Sequence, residues 1–100
     1  RSANLRGAYL CQAVLNGDLR EANLSGANLS WTILTGANLS EAILSEADLN
    51  SAVLVGARLC NAKLRGADLR GADLTEADLT GVNLCEANLS MAKLAGAILT

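Results

Sequence analysis

The sequence has no histidine, no proline and no phenylalanine, and Tyr9 and Trp31 are its only aromatic residues. Without imidazole there is no His-based catalytic triad, no His-ligated zinc and no histidine pH switch. Ten acidic residues against eight basic ones give a net charge of -2, too balanced for an electrostatic nucleic-acid binder. No apolar run approaches the ~18 residues that a membrane span needs. Neither a P-loop nor a Gly-x-Gly-x-x-Gly fingerprint is present. Three cysteines, Cys11, Cys60 and Cys85, are an odd number. They read as stand-ins for serine with free thiols, which suits a reducing compartment.

What is present is a repeat. Leucine falls at 5, 10 and 15, then at 19 and at every fifth residue to Leu99, twenty times in all. Two residues before each leucine stands alanine in seventeen of the twenty units; Gly17, Thr32 and Val82 are the exceptions. One residue before it stands Asn or Asp in eleven units, from Asn4 and Asp18 to Asn83 and Asn88. All nine glycines lie two residues after a leucine.

A period of five suits neither common element. On a helix each leucine would be rotated by ~140° from the last, leaving no apolar face. On one long strand an odd period would send successive leucines to opposite faces. The chain must therefore turn once per repeat. Period-two alternation within a repeat puts Ala and Leu inside and the Asn/Asp and Ser/Thr/Arg positions outside, with the fifth residue as a corner. Glycine suits that corner because a type II turn needs positive φ at its third residue. Glu21, Glu41, Glu46, Glu76 and Glu86 occupy the same slot and predict a different turn type there, since a side chain is strained at positive φ.

Runs such as Ala22-Asn23-Leu24-Ser25-Gly26, Ala67-Asp68-Leu69-Arg70-Gly71 and Ala77-Asp78-Leu79-Thr80-Gly81 resemble the pentapeptide-repeat motif A(D/N)LXX over the whole chain. The resemblance implies an all-β fold, a right-handed quadrilateral parallel β-helix with four repeats per coil. Twenty units then make about five coils in a single domain over 1–100, a rod of roughly 24 Å at the sheet spacing. Phenylalanine, which many members place at the repeat centre, is absent, so the core should be narrow and uniform.

The column map that follows places candidate sites. Val14, Ile33 and Val53 share one outward column, Val55 lies on the same face, and Trp31 sits at the corner leading into Ile33. These five residues predict an exposed apolar patch on the first three coils, the candidate surface for a protein partner. β-branched residues also stack well outside a ladder without any partner. Asp68, Asp73 and Asp78 are close in sequence but fall on successive faces, so they cannot converge on a cation. Asp48 and Asp68 stack in one column, with Arg70 placed to neutralise Asp68. Lys63 and Arg65 share a face, with Arg58 and Arg70 on the flanking ones, and read as a solvated surface. No catalytic, metal or cofactor-binding residues are expected, and the narrow filled interior leaves no room for a small-molecule substrate.

The unit ending at Leu19 is one residue short, with Asn16, Gly17 and Asp18 between the two leucines. Aligned by residue type, the inward alanine is the missing one, which predicts a bulge or a shortened side near Gly17. Both ends cut a repeat and show no capping helix. This predicts either a piece of a longer chain or end-to-end pairing into a homodimer.

The expected function is a non-catalytic structural or protein-interaction module with no nucleic-acid, membrane or small-molecule partner. The resemblance implies an alternative, because some members mimic DNA and bind gyrase in quinolone resistance. That role asks for a long, strongly acidic surface, whereas here Arg and Lys interrupt the faces. The resemblance suggests a bacterial source. The expected compartment is the cytoplasm, or the periplasm or thylakoid lumen if a leader is removed.

Overall fold

The computed structural model describes residues 3–15 and 17–100. Each repeat forms one short side and one turn, and four repeats close a coil. Parallel bridges join every outward residue to the one a coil later: Asn4 to Asn23, Tyr9 to Asn28 and Val14 to Ile33 at an offset of nineteen, then Asp18 to Asn38 and all later pairs at twenty. The sides are too short to make extended strands; each contributes a single bridging residue flanked by turns. The principal extents of 30 × 24 × 20 Å make a squat block, not the slender rod that a stack of coils suggests.

The backbone pattern of one repeat shows how the sequence holds this shape. The outward residue donates its N–H to the alanine-slot carbonyl of the coil before, as Ile43 does to Ala22 (2.8 Å). The leucine N–H donates to the outward carbonyl of the coil after, as Leu24 does to Ile43 (2.7 Å). The corner N–H also donates to the following coil, as Gly26 does to Ser45 (2.9 Å). Each corner is closed by the next alanine donating back to the leucine carbonyl, as Ala27 does to Leu24 (3.0 Å). One N–H per repeat remains, that of the residue after leucine. Where the outward slot is Asn or Asp, its Oδ1 accepts that N–H. All eleven such residues do so, among them Asn23 for Ser25 (3.1 Å) and Asp68 for Arg70 (3.1 Å). The Asn/Asp preference is thus a backbone-satisfying device, the Asx turn, built into an outward position.

The leucines and alanines of the middle coils form one apolar spine. Leu24 to Leu79 and the alanine-slot residues from Ala22 to Ala77 are all buried, and the first and last coils pack against them half-exposed. Thr32 replaces an alanine inside the spine without an orphaned hydroxyl, because its Oγ1 donates to the Leu29 carbonyl at 2.6 Å.

Two sequence expectations are corrected. The Glu corners adopt no separate turn type. Glu21, Glu41, Glu46, Glu76 and Glu86 have φ of 59–62°, close to the 66° of the glycine corner at Gly26. Each corner must aim its N–H at the next coil while the leucine carbonyl closes the turn. A second geometry would break both bonds, which outweighs the ~1–2 kcal/mol that a side chain loses in the left-handed region. The short unit also differs from expectation. The Gly17 carbonyl accepts from Asn38 at 2.8 Å, the ladder role that Ala22 plays for Ile43, so Gly17 fills the inward slot and the inward position is not the one missing. Gly17 accordingly has φ of 141°, unlike the other glycines. The bulge or shortened side expected near Gly17 would take in Asn16, which lies outside the described residues.

Candidate functional site

The expected patch assembles as a column. Successive bridges join Val14 to Ile33 and Ile33 to Val53, one sheet spacing apart. Val14 is 65% exposed and Ile33 38%, while Val53 and Val55 are half-buried. Trp31 is 61% exposed at the corner beside Ile33, held at φ 61° by its N–H bond to Asn50 (3.0 Å). This side carries no ionisable residue over residues 32–36 and 52–56; charge returns on it at Asp73 and Glu76 in the fourth coil and Lys93 in the fifth. The uncharged stretch makes the β-branched ladder a flat apolar strip with an indole at its edge.

Three further apolar residues outside the leucine slot, Tyr9, Met91 and Ile98, are exposed that the repeat pattern did not single out. Tyr9 is 89% exposed on the neighbouring side of the first coil, around the corner from Val14. Its outward slot was legible from the register, so the signal existed. Met91 is 87% exposed in the same corner column as Trp31, but Ser51 and Gly71 separate the two, so it lies apart from the patch.

Several charged residues are tied up locally. Arg70 grips Asp68 through Nε (2.9 Å) and Nη2 (2.7 Å), and Arg20 grips Asp18 in the same way (2.9 and 2.8 Å). These guanidinium bonds hold both carboxyls well below the usual range. Hydroxyl and amide donation from Thr75 lowers Asp73, and the same groups of Thr80 lower Asp78. Arg65 reaches Glu86 at 3.6 Å with both side chains exposed, a pair of little energetic weight. Asp48 and Asp68 are bridged neighbours, and Asp68, Asp73 and Asp78 stand on successive sides. Among the described residues no group of three metal-ligating side chains comes together and no cavity opens.

Cys11, Cys60 and Cys85 are free and lie in three different columns. The Asp78 carboxylate, which hydrogen-bonds the Cys60 thiol, raises the Cys60 pKa, and partial desolvation adds to this, so its thiolate is disfavoured. Ser30 Oγ donates to Cys11 Sγ at 3.3 Å, showing that the slots after leucine touch between adjacent coils.

The model of the family described as pentapeptide repeats matches the chain in eight copies, over residues 1–40, 18–50, 42–81 and 62–100. The chain belongs to the pentapeptide-repeat family. Among solved structures, a pentapeptide repeat protein from the Arabidopsis thaliana thylakoid lumen is 40% identical with a TM-score of 0.76, over 78% of this chain. The match takes in 54% of that protein, so this chain spans about half its length. The pentapeptide repeat protein Rfr23 from the cyanobacterium Cyanothece 51142 is 32% identical with a TM-score of 0.54, over 97% of this chain and 84% of its own. No curated protein matches the chain in sequence. Among the described residues no helix is long and apolar enough to cross a membrane.

Proposed function

We propose that this pentapeptide-repeat chain is a non-catalytic interaction module, a right-handed quadrilateral β-helix that presents one outer strip to a protein partner. The observation that carries the reading is the uncharged column Val14–Ile33–Val53 with Trp31 exposed at its edge. The other outward columns carry charged side chains or the Asn and Asp residues that complete the backbone. This strip gives up that backbone bond in the first three coils in favour of apolar surface. An indole at an outer corner supplies large contact area at little entropic cost, as in interface hot spots. The gyrase-binding alternative gains no support, because Asp18 and Asp68 are ion-paired and no face is continuously negative.

The compartment proposed is the cytoplasm, on the ground of three free thiols. The lumenal source of the Arabidopsis relative supports the alternative. The test of the function is affinity capture with the wild-type chain, Trp31→Asp, and Glu46→Lys as a control on the opposite side of the coil, all verified as folded by circular dichroism. Loss of a captured protein in Trp31→Asp alone is expected. Identical captured sets for all three overturn the strip as the partner surface.

A further inference from the structure

The side that carries the strip is bounded by two corner columns of opposite bulk. It opens at the column Trp31, Ser51, Gly71, Met91 and closes at the column Gly36, Gly56, Glu76, Gly96. In each coil from the second to the fifth, one corner bears a side chain and the other is glycine. The pairs are Trp31 with Gly36, Ser51 with Gly56, Glu76 with Gly71 and Met91 with Gly96. Nothing lies within 4 Å of a Cβ added at Gly36 or Gly56, so those two corners are open notches. The side before the strip lacks this alternation, since Glu46 and Ser51 bound one coil of it and Gly66 and Gly71 the next. The side after the strip alternates too, but Asp18, Arg58 and Asp78 interrupt it. Alternating corners and an apolar face coincide on the strip side.

A two-fold axis parallel to the coil axis turns such a side onto itself with its two edges exchanged. We propose, resting on the strip as the partner surface, that its partner is a second copy of this chain, packed side on and parallel, each coil against the same coil. Trp31 then enters the notch at Gly36 of the second copy, and Ser51 and Met91 face Gly56 and Gly96 in the same way. Within each coil the outward residue meets the residue after leucine, so Ile33 packs on Thr35 and Val53 on Val55. In the fourth and fifth coils Asp73 faces Thr75 and Lys93 faces Ala95, so no charge is set on the apolar strip. Asp73 also keeps the two bonds from its own Thr75.

The rim is complementary in charge. Arg70 ends the side before the strip and Asp78 begins the side after it. Across the axis Arg70 faces Asp78 of the second copy and, over the bare corner of Gly71, its Glu76 as well. In the third coil Asn50 faces Arg58, and no like charges are opposed. Antiparallel packing over four or more coils would instead set Asp73 on Val14, Ile33 or Val53, an ionised carboxylate against apolar groups. The extents of 30 × 24 × 20 Å give the side about 20 × 24 Å, roughly 500 Å² in projection and more as accessible area. That approaches the ~800 Å² per partner of a stable interface. The contact is isologous, so it closes as a dimer. It uses a side of the stack and neither of its ends.

The test uses a Cys11→Ser, Cys60→Ser, Cys85→Ser background. Ser51→Cys and Gly56→Cys chains are prepared separately; the left-handed corner accepts a side chain, as it does at Ser51. They are treated alone and mixed with a bis-maleimide spanning about 10 Å, the distance at which two sheets pack. A covalent dimer is expected from the mixture alone, linked between residues 51 and 56 by peptide mapping. In sedimentation the unmodified chain is expected to pass from monomer to dimer with rising concentration and no further. Trp31→Asp, verified as folded by circular dichroism, is expected to stay monomeric. Links between 51 and 51 in the Ser51→Cys chain alone, or dimerisation of Trp31→Asp equal to wild type, would overturn the proposal. A wild type that is monomeric at every concentration, yet captures another protein that Trp31→Asp loses, would overturn the second copy and leave the strip as the partner surface.

Discussion

Truncating one leucine in the middle of the stack should cost far more than truncating the last one. Leu54 is fully buried in the third coil, between Leu34 and Leu74. The ladder fixes the coils on both sides of it, through Leu34 N–H to Val53 (2.7 Å) and Leu54 N–H to Asp73 (2.7 Å). The cavity left by Leu54→Ala therefore cannot collapse, and the loss should lie in the upper part of the ~2–5 kcal/mol range for such substitutions, about 4 kcal/mol. Leu99 is 58% exposed with a coil on one side only, so Leu99→Ala should cost less than ~1 kcal/mol. With an m-value of about 2 kcal/mol/M for a domain of this size, the urea midpoint should fall by roughly 2 M for Leu54→Ala and by under ~0.5 M for Leu99→Ala. Urea titration followed by far-UV circular dichroism reads both. Equal shifts, or a shift under ~0.5 M for Leu54→Ala, would refute the stacked spine.

The corners yield a second expectation. Gly56 has φ of 67° with nothing within 4 Å of an added Cβ, so Gly56→Ala should lose about 1 kcal/mol from backbone strain alone. At Gly81 the added Cβ would also collide with Asn61 Oδ1, so Gly81→Ala should cost more than Gly56→Ala in the same thermal melt. Glu41→Gly, at φ 61°, should melt no lower than wild type, because relief of strain offsets the added freedom of the unfolded chain. The acid side follows from the lowered carboxyls of Asp18, Asp68, Asp73 and Asp78. Their folded values lie below the unfolded range of about 4, so the stability they supply is complete above about pH 5 and is lost as pH falls through their folded values. Denaturation midpoints should be flat from pH 7 to 5 and drop below pH 4, less steeply in Asp68→Asn; a rise on acidification would contradict the linkage.

The period of five was enough to read the inward Ala and Leu, the corner, and the column that joins Val14, Ile33 and Val53. Three things were not legible, each for a physical reason. The uniform left-handed corner depends on inter-coil bonds, not on the local preference of Glu, so propensity gave the wrong expectation at Glu21 and its counterparts. The role of Asn and Asp is invisible in a pattern that records only outward and polar; it depends on which N–H lacks a ladder partner. The slot of Gly17 in the short unit was hidden because its type matches a corner while its carbonyl serves the inward ladder. Tyr9 stood in a readable outward slot, but on the side before the valine column, where no second apolar residue stacks on it to mark a patch.

The fold requires residues twenty apart to be neighbours in adjacent coils. Ser40 and the native Cys60 test this directly, since they occupy the same slot one coil apart. In a Cys11→Ser, Cys85→Ser background at low protein concentration, Ser40→Cys should oxidise to an intramolecular disulfide between positions 40 and 60. Ser45→Cys, fifteen residues from Cys60 and on the next side, should not. Rapid bond formation by both variants, or by Ser45→Cys alone, would contradict the four-repeat coil.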